Sequence, residues 1–251
     1  MTQEFTDREM RGADFHGVDL SGARFVEVDL TGAMIRGALV ADVVIDGDVS
    51  NLVVNGVDVT PYVEAELDRR YPQRQLMRPR TADGYRTAWP VLERLWDETV
   101  ERARLLPPDL LHQRVHGEWS FIETLRHLVF ATDSWVLRAV LGEPYPYHPL
   151  GLPHTAMTPG PDVPNDPQAR PDLDEVLAVR AERMAVVAKV ITELTDERLA
   201  EETTPVPGNH YPRTDAYPVR RCIGAIVSEE WHHRLFAERD LAELEKSVSA
   251  R

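Results

Sequence analysis

The sequence contains very little cysteine and no long apolar run. Cys222 is the single cysteine in 251 residues, so an internal disulfide framework is excluded and nothing indicates an oxidising compartment. No window reaches the roughly 18 consecutive apolar residues of a membrane span. The start of the chain lacks the basic and apolar stretches of a signal peptide. We therefore expect a cytoplasmic protein with no membrane partner.

Positive charge is also scarce, because 28 Lys and Arg residues face 42 Asp and Glu residues. The resulting net charge of −14 argues against binding to nucleic-acid phosphates, which requires an excess of basic side chains. Anionic membrane surfaces would repel such a chain as well. The simplest role of this charge is solubility.

What the sequence does contain, at its start, is a five-residue repeat, seen in Ala13-Asp-Phe-His-Gly17 and Val18-Asp-Leu-Ser-Gly22. A period of five fits neither a helix nor a plain strand. The stretch resembles the pentapeptide-repeat family, whose members form a right-handed β-solenoid of four repeats per coil with the apolar pair pointing inward. Seven good repeats give fewer than two coils, so we expect this segment to need a neighbour for stability. The large apolar positions are Phe15, Leu20, Phe25, Leu30, Ile35, Val40 and Ile45, and beyond Ile45 the pattern degrades at Asp48, Ser50 and Asn55.

The rest of the chain reads as helical. A short helix is predicted from Pro61 to Tyr71, followed by a basic linker. Four amphipathic patterns of 22 to 26 residues then indicate a four-helix bundle. They cover about 84–106, where Pro90 should start or kink the helix, 120–141, 173–194 and 219–244. The predicted organisation is a solenoid segment at 10–58, a short helix and linker at 59–80, and an up-and-down four-helix bundle at 81–248.

Polar side chains interrupt the core-facing stripe of two of these helices. On the fourth helix, Glu229 and His233 lie one turn apart in line with Cys222 and Ile226. On the second, His127 lies within a strongly apolar segment. Each has a simpler explanation, because His127 could be a hydrogen-bonded core residue and Glu229 could pair with an arginine. Together they predict an open metal site built from two facing helices.

Other residues near these motifs are weaker candidates. Glu230 and His232 are rival ligands, because each lies three residues from one of the favoured pair, Glu230 from His233 and His232 from Glu229. The four-residue spacing is favoured because it also keeps Ile226 and Cys222 in line. Trp119 and Trp231 are candidates for lining a substrate pocket, with core packing as the alternative. Cys222 is a third pocket candidate, with a buried structural thiol as the alternative. No spacing assigns a role to five further histidines, which are His112, His116, His148, His154 and His210.

Two stretches, 115–131 and 227–241, resemble the second and fourth helices of the DinB-like superfamily. Members of that superfamily are four-helix bundles with a metal-binding triad. Carried over to this sequence, the triad is His127, Glu229 and His233. The Glu-x-x-x-His form is similar to the branch of mycothiol-dependent transferases and isomerases.

The resemblance implies a metal-dependent thiol transferase in which the metal activates a mycothiol-like thiol toward an electrophilic substrate. The donor set suits Zn²⁺, with Ni²⁺, Fe²⁺ and Mn²⁺ not excluded. The alternative is a non-enzymatic, metal-binding protein of stress response or interaction. No catalytic residue beyond the metal ligands is assigned, and a homodimer is compatible with the sequence. The substrate would enter beneath the proline-rich connection at 142–171.

Overall fold

The computed structural model describes residues 4–6, 8–26, 28–47, 49–154, 160, 162–208 and 211–249. Asp48 and His210, both considered above, lie outside these residues. The chain divides into two compact units, Met1–Val43 and Val44–Arg251. The second unit contains all of the regular helices and is the place of the candidate site.

Turns rather than strands organise the described part of the first unit. Equivalent hydrogen bonds recur every ten residues, from Ala13 N to Met10 O, from Ala23 N to Leu20 O and from Ala33 N to Leu30 O. Gly12, Gly22 and Gly32 supply the positive φ of these turns. The repeat is thus present in the backbone, with little of the regular solenoid expected from it.

The apolar side chains of the repeat are not buried within this unit. At the large apolar position of each five-residue unit, the exposed fraction of the side chain runs from 46% at Leu20 to 78% at Ile35. The expectation that they point into a covered interior is wrong for these residues. Fewer than two coils provide no stacked neighbours to cover an apolar face, and repeat architectures depend on such neighbours.

The second unit begins with a small hairpin. Strands β1 (Val53–Val54) and β2 (Val57–Asp58) pair antiparallel around Asn55 and Gly56, which both adopt positive φ. Helix α1 (Thr60–Arg70) follows, and then a 3₁₀ segment, Pro72–Met77. The largely buried Arg74 joins the two by pairing with Glu64 and Asp68, each at 2.7 Å.

The chain is mainly α-helical, and the predicted helical fold class is confirmed. The long helices are α2 (Ala82–Ala103), α3 (Phe121–Thr132), α4 (Leu173–Glu193) and α6 (Val219–Ser249), with a short 3₁₀ segment (Pro108–His112) before α3 and a short α5 (Asp196–Ala200) after α4. Their shared core contains Trp89, Leu92, Leu125, Val187, Ile226 and Leu241. Across the described residues, no helix combines the length and apolar character that crossing a bilayer would require.

Helix α2 begins at a cap and contains a proline. The Thr81 hydroxyl accepts a hydrogen bond from Gly84 N at 3.2 Å, which defines the start. Pro90 lies inside the helix rather than at its beginning. The alternative in which Pro90 starts the helix is therefore wrong, because the Thr81 cap and the apolar stripe from Tyr85 onward set the boundary earlier.

Helix α3 is the central element of the bundle. Every residue from Phe121 to Thr132 except Glu123 is buried, which is typical of a helix covered on all sides. The helix continues as a π-helical segment, Asp133–Val140. Such wider turns occur mostly as short segments and often lie near functional sites.

Two long connections cover this central element. The first links the π-helical segment to α4, and the second links α5 to α6. A buried guanidinium holds each of them through backbone carbonyls. Arg126 donates to Leu150 O, Asp166 O and Ala169 O, and Arg138 donates to Pro144 O, Val206 O and Pro207 O. The proline-rich connections are therefore attached to the bundle at these carbonyls.

Candidate metal centre

A capping box places His127 on α3. Glu123 N donates to the Ser120 hydroxyl at 3.3 Å, and Ser120 N donates to the Glu123 carboxylate at 2.8 Å. These two bonds satisfy donors that the first helical turn leaves free, so the start of α3 is well defined. His127 follows one turn after Glu123, with its side chain only 8% exposed.

The first proline-rich connection sets the hydrogen bonding of the His127 ring. Its Nδ1 lies 3.0 Å from the carbonyl oxygen of Leu152. A carbonyl oxygen can only accept, so Nδ1 is the donor and a neutral ring presents its Nε2 lone pair on the opposite side. Metal-binding histidines commonly have this arrangement of one ring nitrogen on a carbonyl and the other on the ion.

The Nε2 atom of His127 faces the two candidate side chains of α6. Glu229 Oε2 lies 3.4 Å from His127 Nε2 and 3.0 Å from His233 Nε2. The three potential ligand atoms all lie within 4.8 Å of one another. Glu229 and His233 meet because residues four apart on a helix share a face.

Burial and the two imidazoles have opposite effects on the pKa of Glu229. Burial acts to raise the pKa of this carboxyl, but hydrogen bonds with His127 and His233 outweigh it, and the pKa lies well below its usual range. Burial lowers the pKa of His233 in spite of its hydrogen bond to Glu229. An ionised carboxylate beside a neutral imidazole is the protonation state in which both bind a cation.

Aromatic rings surround the three side chains. The Trp119 ring centroid lies 4.5 Å from that of His127 and 5.9 Å from that of His233. Phe130 contacts His127, and Phe236 contacts His233 edge-on. Trp119, one of the candidates for lining a pocket, is therefore in contact with the site. Glu229 keeps a 33% exposed side chain, so the cluster is open to solvent on one side.

The rival ligands Glu230 and His232 point elsewhere. Glu230 is buried in an ion pair with Arg180, at 2.9 Å and 3.2 Å, and the Arg180 guanidinium lies over the Trp96 ring. His232 is exposed, and its Nδ1 lies 3.0 Å from Ser228 O. Of the two spacings on α6, only the four-residue one reaches His127.

The other two pocket candidates lie within the packed core. Trp231 is 3% exposed and packs edge-on against Tyr71, with a centroid distance of 6.3 Å. Cys222 is fully buried, and burial raises the pKa of its thiol to about 11. A thiol in this state is uncharged at neutral pH and therefore a poor nucleophile and metal ligand.

Two contributors to the site carry no recognisable motif. Leu152 acts through its backbone carbonyl, for which side-chain identity gives no signal. Arg126 holds the same connection from within α3, and Leu152 N in turn donates to Arg126 O at 3.2 Å. The single clue to Arg126 was its place in the apolar stretch around His127, where an unpaired guanidinium would be costly.

The arrangement is suited to holding one divalent cation. Two imidazole nitrogens and a carboxylate oxygen converge. In a neutral His127 ring, the Nδ1–H bond to Leu152 O leaves the Nε2 lone pair directed at the carboxylate. Without a proton or a cation between them, the lone pair and the carboxylate oxygen would repel each other. The residues present therefore fit a metal ion, with coordination positions left over for another ligand.

Comparison with known protein families agrees with this geometry. A model of the DinB superfamily matches residues 91–237, and the model described as pentapeptide repeats (8 copies) matches residues 9–39. Searches of curated proteins and of solved structures give no match. The superfamily match covers most of the bundle, including His127, Glu229 and His233, and more than half of the chain. With its metal-binding geometry and four-helix core, the chain belongs to the DinB superfamily.

Proposed function

We propose that the protein is a metal-dependent transferase of a low-molecular-weight, mycothiol-like thiol, with Zn²⁺ as its ion. The observation that carries this proposal is the convergence of His127 Nε2, Glu229 Oε2 and His233 Nε2. Three ligands leave room for a substrate, and the open side of Glu229 gives access to it. Because reduced thiols prevail in the cytoplasm, we propose that the reaction takes place there.

The donor set favours Zn²⁺ without requiring it, since imidazole and carboxylate also accept Ni²⁺, Fe²⁺ and Mn²⁺. A divalent ion in this position would supply Lewis acidity, which lowers the pKa of a bound thiol and favours the nucleophilic thiolate. Cys222 is an unsuitable nucleophile because its thiol is buried and its pKa is raised. The proposed thiol therefore comes from solution.

The chain's own groups would orient the reactants. The Leu152 carbonyl fixes the His127 ring, and the negative charge of Glu229 compensates part of the charge of the ion. Trp119 covers one side of the imidazole pair and restricts access of water there. The electrophilic substrate would approach from the side on which Glu229 is exposed.

Two adjacent histidines allow a sharp test. His233→Ala removes a proposed ligand, and His232→Ala removes an exposed ring that is bonded locally to Ser228. We expect the first variant to lose stoichiometric metal and thiol transfer to a chromogenic aryl halide, while its circular dichroism spectrum persists. The second should retain both. Metal should be quantified after purification without chelator or nickel resin.

Several results would contradict the proposal. Wild-type protein without a stoichiometric transition metal would remove the metal site. Metal binding without transfer of any thiol would remove the catalytic role. A His233→Ala variant that unfolds would indicate that the ion is structural.

One observation favours the non-enzymatic alternative. The apolar side chains of the repeat are about half exposed or more, and contiguous exposed apolar surface often marks an interaction site. In that case the metal would stabilise the bundle while the repeat binds a partner or a second copy. Sedimentation analysis would reveal a homodimer, and transfer activity in the assay above would favour the enzyme.

A further inference from the structure

Arg221 lies two turns before Glu229 in the row of four-residue steps on α6 that carries two residues of the metal cluster. The residues Arg221, Ala225, Glu229 and His233 follow one another at four-residue spacing on α6. Eight residues of helix separate Arg221 from Glu229, which corresponds to about 12 Å along the helix axis. A cation and a candidate metal site are thus presented along one row of a single rigid element.

The Arg221 guanidinium is held by rings instead of by a carboxylate. Its central carbon lies 5.3 Å from the Tyr217 ring centroid and 5.9 Å from that of Trp135. Within the described part of the chain, no carboxylate lies within 4.0 Å of it. By contrast, Arg180, Arg183 and Arg239 each have a carboxylate partner. Arg221 is exposed and its N–H donors remain available to an anion.

A continuous series of rings leads from Arg221 to the metal cluster. Trp135 contacts Tyr211 edge-on at 5.6 Å, Tyr211 contacts Phe130 at 6.1 Å, and Phe130 contacts His127 at 6.2 Å, all measured between ring centroids. Phe130 and Trp135 are buried, at 2% and 8% exposure, and they support the partly exposed Tyr211 ring, which offers an apolar contact for the middle of a bound molecule. Sites of this composition, largely aromatic with a few directed polar groups, are typical of small-molecule binding.

Tyr211 lies close enough to both ends of this row to sense their charges. Burial raises the pKa of its phenol, Glu229 raises it further, and Arg221 acts in the opposite direction. The Tyr211 backbone is held in turn, since its carbonyl accepts a hydrogen bond from the Tyr147 hydroxyl at 2.7 Å. Tyr211 therefore belongs to the surface between the cation and the cluster.

We propose that Arg221 binds a carboxylate of the substrate whose reacting end lies at His127, Glu229 and His233. The partly exposed Tyr211 ring between them would contact an apolar spacer. The substrate class is accordingly an elongated carboxylic acid. This inference rests on the proposed function only in placing the reaction at that cluster, and it doesn't depend on the thiol.

Dicarboxylates of graded length test this arrangement. We would titrate zinc-loaded, full-length protein calorimetrically with the series from succinate to dodecanedioate, and with the monomethyl ester of each acid. One carboxylate can bind the ion and the other Arg221, provided that the chain spans about 12 Å. We expect a diacid of sufficient length to bind at least about tenfold more tightly than its ester, a difference of about 1.4 kcal/mol.

The variants Arg221→Met and Arg220→Met change the net charge equally. Arg220 is also exposed, and its Nε donates to Leu199 O. The diacid preference should disappear in Arg221→Met, persist in Arg220→Met and be partly retained in Arg221→Lys. Circular dichroism would verify that each variant is folded.

A diacid preference that is absent in the wild type, kept in Arg221→Met, or lost equally in Arg220→Met would overturn the carboxylate site. The thiol proposal is judged separately, from the thiolate charge-transfer band of the cobalt-substituted protein. A diacid preference without that band supports the anion site and refutes the thiol chemistry. The charge-transfer band without a diacid preference supports the thiol chemistry and refutes the anion site.

Discussion

The Nδ1 atom of His127 donates a hydrogen bond to the carbonyl oxygen of Leu152 over 3.0 Å. This single contact couples the central helix to the proline-rich connection that follows it. A backbone carbonyl has a fixed position only if its segment is fixed, and here the segment is held by Arg126. The orientation of a candidate metal ligand therefore depends on a buried guanidinium next to it in the chain.

Replacing Arg126 with Met should weaken metal binding. The variant removes the donors to Leu150 O, Asp166 O and Ala169 O, so the connection can shift and His127 loses a fixed acceptor. Loss of an outer-shell partner typically reduces metal affinity about 10- to 100-fold. Competition with a chromogenic chelator would measure the affinity of the folded variant.

Arg138→Met provides the matched control. Arg138 is equally buried and also donates only to backbone carbonyls, chiefly on the second connection. Both variants should lower the free energy of unfolding by about 3 kcal/mol, because buried carbonyls lose their donors. If both lowered metal affinity to the same extent, general loosening of the bundle would explain the result better than the orientation of His127.

The sequence predicted the helices well because their signals are local. Ser120 and Glu123 form the capping box that their spacing indicated, and the apolar stripe of α6 places Cys222 and Ile226 in the core. The three ligand candidates were found because polar residues interrupted those stripes. Capping boxes and apolar stripes depend on residues close in sequence, so they can be identified before the fold is known.

Other features had no local signal. The π-helical continuation of α3 has no sequence motif of its own; it contains the carbonyl-bound Arg138 and follows the carbonyl-bound Arg126 of α3. The Arg180–Glu230 pair joins residues of different helices, so neither residue alone revealed the other. In the repeat, the five-residue period identified the pattern, but it did not show whether the apolar side chains are buried.

A chain consisting of residues 44–251 should retain the metal. All ligand candidates and their hydrogen-bond partners, from His127 and Leu152 to His233, lie in the second compact unit. We expect the same metal-to-protein ratio by elemental analysis as in the full chain. A ratio near zero in a truncated protein with unchanged helical content would mean that the repeat contributes to the site.

Asp133 should make stability depend on pH in an unusual direction. Burial raises the pKa of this fully buried carboxyl to about 6, against the opposing effects of Arg183 and the His148 backbone. Between about pH 4 and pH 6 the folded chain keeps a proton that the unfolded chain releases. The contribution of Asp133 to stability is therefore greatest at low pH and declines as the pH rises through this window.

Asp133→Asn isolates this effect, because the amide doesn't titrate. Relative to the variant, the wild type should lose about 2 kcal/mol of unfolding free energy between pH 4 and pH 7. Urea denaturation at several pH values would measure it, with the variant correcting for all other carboxylates. A difference that is constant with pH would show that Asp133 titrates normally.

Glu229 and Glu230 are neighbours in sequence whose substitution by Gln should have opposite consequences. Glu230→Gln leaves Arg180, whose side chain is 5% exposed, without its carboxylate, and breaking such a buried pair costs about 4 kcal/mol. Metal affinity should change little, because Glu230 points away from His127. Glu229→Gln should abolish tight metal binding, because it removes the only carboxylate of the triad.

In metal-free protein, Glu229→Gln should be more stable to unfolding than Glu230→Gln. Glu229 is one-third exposed and its partners are imidazoles that water can solvate in part, so its replacement should cost less than that of Glu230. Thermal unfolding with and without added Zn²⁺ would separate the two effects, since only variants that bind the ion gain stability from it. Equal stabilisation of both variants by Zn²⁺ would exclude Glu229 as a ligand, and a stable Glu230→Gln variant would mean that Arg180 finds another partner.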